Sequence, residues 1–237
     1  NATGRFEAKT VYAVNDGWDL KDDLPPLRTS VIDEHPKTII TKNSSPDVPF
    51  DRSINPYRGC EHGCVYCFAR PSHSFLDLSP GLDFETRIFF KEHAASLLEK
   101  ELCKPKYSCA PMALGVNTDC YQPAERDLKI TRSILEVLER FNHPVSIITK
   151  SAGILRDLDI LSEMAGRNLV HVMISVTTLD RDLARRMEPR ATTPERRLKT
   201  MRALNDAGVP TGVLASPIIP GLNDSEIEKI LQACKDA

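Results

Sequence analysis

The sequence predicts an α/β protein in which parallel strands, covered by amphipathic helices, close into a barrel or half-barrel behind an extended N-terminal arm. Three observations lead there. From Ser53 onward, short apolar runs alternate with segments whose apolar residues recur every three or four positions. No hairpin dipeptide such as Asn-Gly joins these runs, so each strand is expected to return through a helical crossover that leaves its neighbour parallel. The first fifty residues are rich in Pro, Asp, Lys and Ser and show little periodicity. Residues 1–50 are therefore read as the arm and 51–237 as one domain.

The elements follow in order. "SINPY" is a plausible first strand, with the cysteine-rich loop after its C-terminal end. "TRIFFK" (86–91) reads as a strand, and Ala95, Leu97, Leu98 and Leu102 mark one face of the helix after it. "PMALGV" (111–116) is the next strand, followed by a helix carrying Leu128, Ile134, Leu135, Leu138 and Phe141. "VSIITK" (145–150) precedes a helix through Ile154, Leu158, Leu161 and Met164, and "VHVMISV" (170–176) precedes "DRDLARRM". A helix over 195–207, "TGVLASPII" and the helix "DSEIEKILQAC" complete the alternation. In such sheets the reacting groups gather where strands end and loops begin.

Composition narrows the function classes. The 31 basic and 33 acidic residues give a net charge of −2, which creates no global pull toward nucleic acid or an acidic membrane. No run approaches the length of a membrane span, and the opening stretch lacks the apolar core of a signal peptide. A cytoplasmic protein is expected. Seven cysteines, an odd number with three crowded together, do not form a disulfide framework and suit a reducing compartment. Cys103 and Cys234 read as small buried hydrophobes.

The crowded thiols lie in "NPYRGCEHGCVYCFAR", where Cys60, Cys64 and Cys67 are separated by three and two residues. A structural zinc site closes with four protein ligands, and the nearby fourth donors are His62, wedged between two cysteines, and His73. An iron-sulfur cluster is the other reading, since a four-iron cluster held by three thiolates keeps one iron open for chemistry. Gly59 and Gly63 let the loop turn tightly about a bulky group.

The spacing C-x3-C-x2-C, with the aromatic Tyr66 before the last cysteine, resembles the signature of the radical S-adenosylmethionine (SAM) enzymes. "SPDVPFDRSINPYRGCEHGCVYCFARPSH", "GLDFETRIFFK" and "NTDCYQP" resemble, within that superfamily, the bacterial DNA repair photolyase-like group related to spore photoproduct lyase, over about residues 40 to 224. The resemblance implies a partial (β/α)6, TIM-like barrel. It also implies a [4Fe-4S] cluster whose open iron binds SAM, and reductive cleavage of SAM to a 5′-deoxyadenosyl radical that takes hydrogen from substrate. A sixth βα unit expected for the group would follow the last helix, so truncation at the C-terminus is part of this expectation. An electron donor such as flavodoxin or ferredoxin is implied as partner.

Carried over residue by residue, the resemblance makes Cys60, Cys64 and Cys67 the iron ligands and lays Tyr66 against the SAM adenine. Asn117, Thr118 and Asp119 would offer polar contacts to SAM, while Lys150, Ser151 and Ser175 match places where spore photoproduct lyase contacts it. Arg190, in "MEPRATTPERR", would reach SAM or an anionic substrate. The lyase's hydrogen relay, a cysteine and two tyrosines, is matched here by Val116, Tyr66 and Phe68, so that relay is absent; Cys120 is the candidate for a substitute hydrogen donor, against the plainer reading of a partly buried bystander thiol. The substrate is unidentified, with nucleic acid among the classes left open, and Arg181, Arg185, Arg186, Arg196 and Arg197 read equally as a solvated face or a phosphate patch. The alternative function is a non-catalytic zinc-binding nucleic-acid module built on Cys60, Cys64, Cys67 and His73. A simple electron carrier is disfavoured, since it would need four cysteines and no barrel.

Overall fold

The computed structural model of the chain describes residues 28–237. Residues 1–27 of the stretch read as an arm lie outside the described residues. The rest of that stretch carries β1 (Ser30–Asp33) and β2 (Ile40–Lys42), followed by β3 (Arg52–Ile54) and β4 (Tyr57–Arg58). After the cysteine loop come α1 (Leu82–Thr86), β5 (Arg87–Phe90), α2 (Ala94–Leu102) and β6 (Met112–Leu114). Next are α3 (Glu125–Leu128), α4 (Ile130–Arg140), β7 (Val145–Thr149), α5 (Leu158–Gly166) and β8 (Val170–Ser175). The chain ends with α6 (Arg181–Met187), α7 (Pro194–Asp206), β9 (Thr211–Leu214) and α8 (Ile227–Lys235).

The main sheet runs β2-β3-β6-β7-β8-β9. Its last five strands are parallel, and β2 pairs antiparallel at the edge, Ile40 opposite Ile54. This is the α/β architecture with a mostly parallel sheet that the alternating pattern predicts. Register divides the residues between two faces. Ile54, Leu114, Ile147, Val172 and Ile174 are fully buried in the main apolar core beneath the helices. The other face carries Ser53, Ala113, Ile148, Met173 and Ser175. Among the described residues, no helix is long and apolar enough to cross a membrane.

Two sequence expectations are corrected. "SINPY" is not one strand: β3 stays in the main sheet, while Asn55 and Pro56 break the ladder and β4 crosses to a second sheet of order β1-β5-β4. The "TRIFFK" strand joins that second sheet, parallel to β1 and antiparallel to β4, instead of opening the parallel series. A four-residue apolar run announces a strand but not its partner. The small sheet thus lies beside the loop that follows β4, with the Cys60 N–H donating to the Phe84 carbonyl at 2.9 Å.

Candidate active site

The loop after β4 turns at two left-handed glycines, Gly59 (φ +81) and Gly63 (φ +68). A Cβ on Gly59 would lie 2.9 Å from the Phe84 carbonyl oxygen, and one on Gly63 would run into the Arg190 guanidinium. Arg70 supports the loop from below: its Nε and Nη2 donate to the Cys64 carbonyl at 3.1 and 2.9 Å, while Nη2 also pairs with Glu85. Gln122, buried, donates to the Gly59 carbonyl (3.2 Å) and accepts from the Glu61 N–H (3.0 Å). So fixed, Cys60, Cys64 and Cys67 line one cavity of about 540 Å³.

Burial pushes the Cys64 thiol up to about 12, with Glu188, Cys60 and Cys67 adding to the shift against Lys150. Burial raises the Cys67 thiol too, and soft donors of this kind suit a cationic, thiolate-binding group. A closed zinc site fits poorly. Among the described residues, no three His, Cys, Asp or Glu side chains converge as the ligands of a single ion would. His73 does not line the cysteine cavity: its Nε2 lies 2.9 Å from the Arg87 carbonyl oxygen, its Nδ1 has no hydrogen-bond partner among the described residues, and its ring is edge-on to Phe84 and Phe89.

Each spacer of the cysteine motif is tied to a buried carboxylate. In the first, His62 Nδ1 lies 3.4 Å from Asp119, which also accepts from the Tyr121 N–H (2.8 Å), the Thr149 hydroxyl (2.7 Å) and the Lys150 N–H (2.7 Å). Burial opposes charge on both partners. Asp119, with Cys60 adding, nevertheless raises His62 to about 10, and His62 with the other donors holds the Asp119 carboxyl far below the usual range. In the second spacer, the Tyr66 hydroxyl donates to Glu188, which also accepts from Thr177 (2.7 Å) and pairs with Arg197. Arg197 is 1% exposed and donates onward to the Ser175 carbonyl (2.9 Å) and the Thr192 carbonyl (2.7 Å). The backbone joins in, Val65 N–H to Met187 and Arg190 N–H to His62.

A family model described as the radical SAM superfamily matches residues 54–234. The chain belongs to the radical SAM superfamily. The family uses a [4Fe-4S] cluster and SAM. An uncharacterized protein of Mycobacterium tuberculosis is 40% identical over 178 residues, covering 75% of this chain and 52% of that protein. One from Methanocaldococcus jannaschii is 29% identical over 173 residues, covering 73% and 62%. The chain thus spans about half to three-fifths of the length of these relatives. Spore photoproduct lyase complexed with dinucleoside spore photoproduct superposes with a TM-score of 0.59 at 16% identity, covering 80% of this chain and 52% of the lyase. A double mutant of the lyase with bound AdoMet and dinucleoside spore photoproduct gives 0.57 at 16%, covering 79% and 51%. At this identity the likeness is one of fold.

Within the radical SAM frame, Tyr66, Asn117, Thr118, Asp119 and Lys150 line the cavity with the three cysteines. Asn117 is exposed, its N–H held by Asn55 (2.9 Å), and the Thr118 hydroxyl donates to the Tyr57 carbonyl (2.9 Å). The Lys150 ammonium sits 5.7 Å from the Tyr66 ring centroid, and among the described residues no carboxylate lies within ion-pair distance of it. Register sets Ser175 beside Leu214, a cavity residue, and its buried hydroxyl has no hydrogen-bond partner among the described residues.

Three of the expected site residues stand apart from the cysteine cavity. Ser151 caps the turn after β7, accepting from the Gly153 N–H (3.1 Å), and faces a neighbouring cavity. Arg190 is spent on the loop itself, bonded to the Glu61 carbonyl and the Glu85 carboxylate, and does not line the cysteine cavity. Cys120 turns the other way, into the apolar core, where burial raises its thiol well above the ordinary value, so it does not face the cavity. Of the structural cysteines, Cys234 is buried as expected and Cys103 is exposed at the end of α2.

Sequence reasoning assigned no role to Glu188, Thr177 or Gln122, and read Arg197 as a surface residue. Thr41, Lys42, Asn43, Ser45, Val48 and Phe50, from the stretch read as an arm that covers either the cluster side or the substrate mouth, also line the cavity. "MEPRATTPERR" holds Glu188 and Arg197 and "NTDCYQP" holds Gln122, but nothing local marks them as buried clamps.

Proposed function

We propose that this chain carries the SAM-cleaving centre of a radical SAM enzyme that abstracts hydrogen from an unidentified substrate. One observation carries the reading: three thiols share a cavity whose other walls offer an ammonium, a strand-end polar stretch and an aromatic ring. Cys60, Cys64 and Cys67 hold the cluster. When bound, the cluster supplies the electron that cleaves SAM to methionine and the 5′-deoxyadenosyl radical. Lys150 meets the SAM carboxylate, which gives a partly buried ammonium its counter-ion. Tyr66 offers its ring to the adenine while Glu188 holds its hydroxyl. Ser175 gives its unused hydroxyl to the same ligand, and Asn117 and Thr118 close the polar side.

The five parallel strands then form most of a partial (β/α)6 barrel whose mouth is the cysteine cavity. Val116 and Phe68 line that cavity and carry no transferable S–H or O–H hydrogen, so this chain does not reproduce the lyase's relay. The substrate enters beside the 41–50 wall, and nucleic acid is one class it could belong to. The protein is cytoplasmic, and a flavodoxin or ferredoxin supplies the electron. The zinc-module alternative is the weaker reading, because His73 does not line the cavity that the three cysteines share.

The test is anaerobic reconstitution with iron and sulfide, then dithionite reduction with SAM, following 5′-deoxyadenosine by chromatography. Wild type is expected to form it and Cys64→Ala to form none. Tight zinc uptake without any 5′-deoxyadenosine would overturn the proposal.

A further inference from the structure

A second cavity of about 600 Å³ lies behind the wall that His62 shares with the cysteine site, and its rim carries Arg126, Arg156, Arg190 and Arg196. These arginines come from separate parts of the chain: α3, the turn before α5, the loop after α6, and the first turn of α7. Two have their charge met. Arg156 pairs with Glu125 and Asp157 (2.6 and 2.7 Å), and Arg190 pairs with Glu85. The other two, Arg126 and Arg196, are exposed and have no side-chain partner among the described residues. The carboxylate lining the cavity, Glu125, is buried and occupied by Tyr57, Thr131 and Arg156. The opening therefore presents an excess of guanidinium donors, with Ser151, Thr192 and Thr193 beside them.

We infer that this cavity is a phosphate-binding site, and that its ligand is the phosphodiester backbone of a nucleic acid. Guanidinium forks match phosphate oxygens in pairs, and an open, water-filled rim lets them do so without burying charge. The backbone is favoured over a lone phosphate because the donors do not stop at one pocket. Arg196 also lines the adjoining groove, with the hydroxyls of Thr193 and Thr200 and with Lys199, which is in an exposed, solvent-screened pair with Glu195 (2.6 Å). Donors that cross two depressions fit a repeating anion. Arg190 gives the site a link to the cysteine loop, since the same guanidinium holds the Glu61 carbonyl. The inference needs no cluster, so it stands or falls apart from the SAM reading.

The test uses the full chain without cofactor and a fluorescein-labelled 12-nucleotide single-stranded DNA, with binding followed by anisotropy at several salt concentrations. Wild type is expected to bind with a negative log K against log salt slope. The double variant Arg126→Ala/Arg196→Ala should bind about tenfold or more weakly, with a slope shallower by about 1.4, or about 0.7 for each lost phosphate contact. Arg181→Ala/Arg185→Ala, on the exposed face of α6, should leave both quantities unchanged. Titration with inorganic pyrophosphate separates the sources. Pyrophosphate binding that the Arg126/Arg196 variant loses, without any binding of DNA, would assign the site to a small phosphate compound and overturn the backbone. No binding of either probe, or equal losses in both double variants, would overturn the site.

Discussion

The two spacers of the cysteine loop are held by unlike devices. The first hangs on Asp119, whose charge is met by His62 and shared with three uncharged donors, the Tyr121 N–H two residues on and the Thr149 hydroxyl and Lys150 N–H at the end of the adjacent strand. The second hangs on Glu188, whose charge is met by one long side chain, Arg197, from the next helix. Both carboxylates are thus in buried ion pairs, and removing either partner strands the other. Three uncharged donors, two of them backbone or hydroxyl groups of the adjacent strand end, cushion that loss at Asp119, while at Glu188 only the Tyr66 and Thr177 hydroxyls do so.

The largest expected effect follows from that contrast. Arg197→Met should cost about 3–5 kcal/mol in urea denaturation, because Glu188 remains buried without its counter-ion. Adding Glu188→Leu should return much of the loss. A single variant as stable as wild type would show that the pair is not what fixes the second spacer. The same pair has an acid signature. Burial alone would raise the Glu188 carboxyl, but Arg197, Lys150 and the Tyr66 hydroxyl together hold it below its ordinary 4.5. Its folded value is thus lower than its unfolded one, so its stabilisation is complete above about pH 4.5 and is lost as pH falls through the folded value. In Arg197→Met burial holds the Glu188 carboxyl above its ordinary value, so the stability gap from wild type should begin to shrink above pH 4.5, as the variant's carboxyl takes up its proton, and shrink further below it. A gap that widens in acid would reverse the assignment.

Asp119→Asn should cost less, about 3 kcal/mol, since the amide oxygen keeps part of the donor set while its NH2 opposes the rest. A loss larger than that of Arg197→Met would break the comparison between the two spacers. The site should respond more sharply than the fold: with the His62 partner neutral, reconstituted iron per chain is expected to fall more than chain stability does.

What could be read in advance divides along the same line. Thr118, Asp119 and Lys150 line the cavity with the cysteines; strand-helix alternation places them after strands, and the resemblance places them at the site. Cys120 sits one residue past Asp119 in the irregular loop after β6, where no strand period in the sequence decides which side chain faces cavity and which faces core. Arg197 looks like its neighbour Arg196 in any helical pattern. One is buried and the other exposed because Glu188 lies under the first, a contact made only by the folded chain. The small β1-β5-β4 sheet escaped for a related reason, its strands being four residues or fewer with partners far apart in sequence.

The smallest effect is the most specific. Tyr66→Phe keeps the ring that faces Lys150 and removes the hydroxyl that reaches Glu188. Glu188 retains Thr177 and Arg197, so it is not orphaned, and the stability cost should be about 1 kcal/mol, that of one hydrogen bond to a charged acceptor or slightly less. If the hydroxyl serves only to hold the ring in place, the variant should bind SAM several-fold more weakly at an unchanged iron content. Tyr66→Leu, which also removes the ring, should weaken it further. Equal SAM affinity in wild type and both variants would mean that the second spacer is clamped for the sake of its cysteines alone, and that the ring does not touch the ligand.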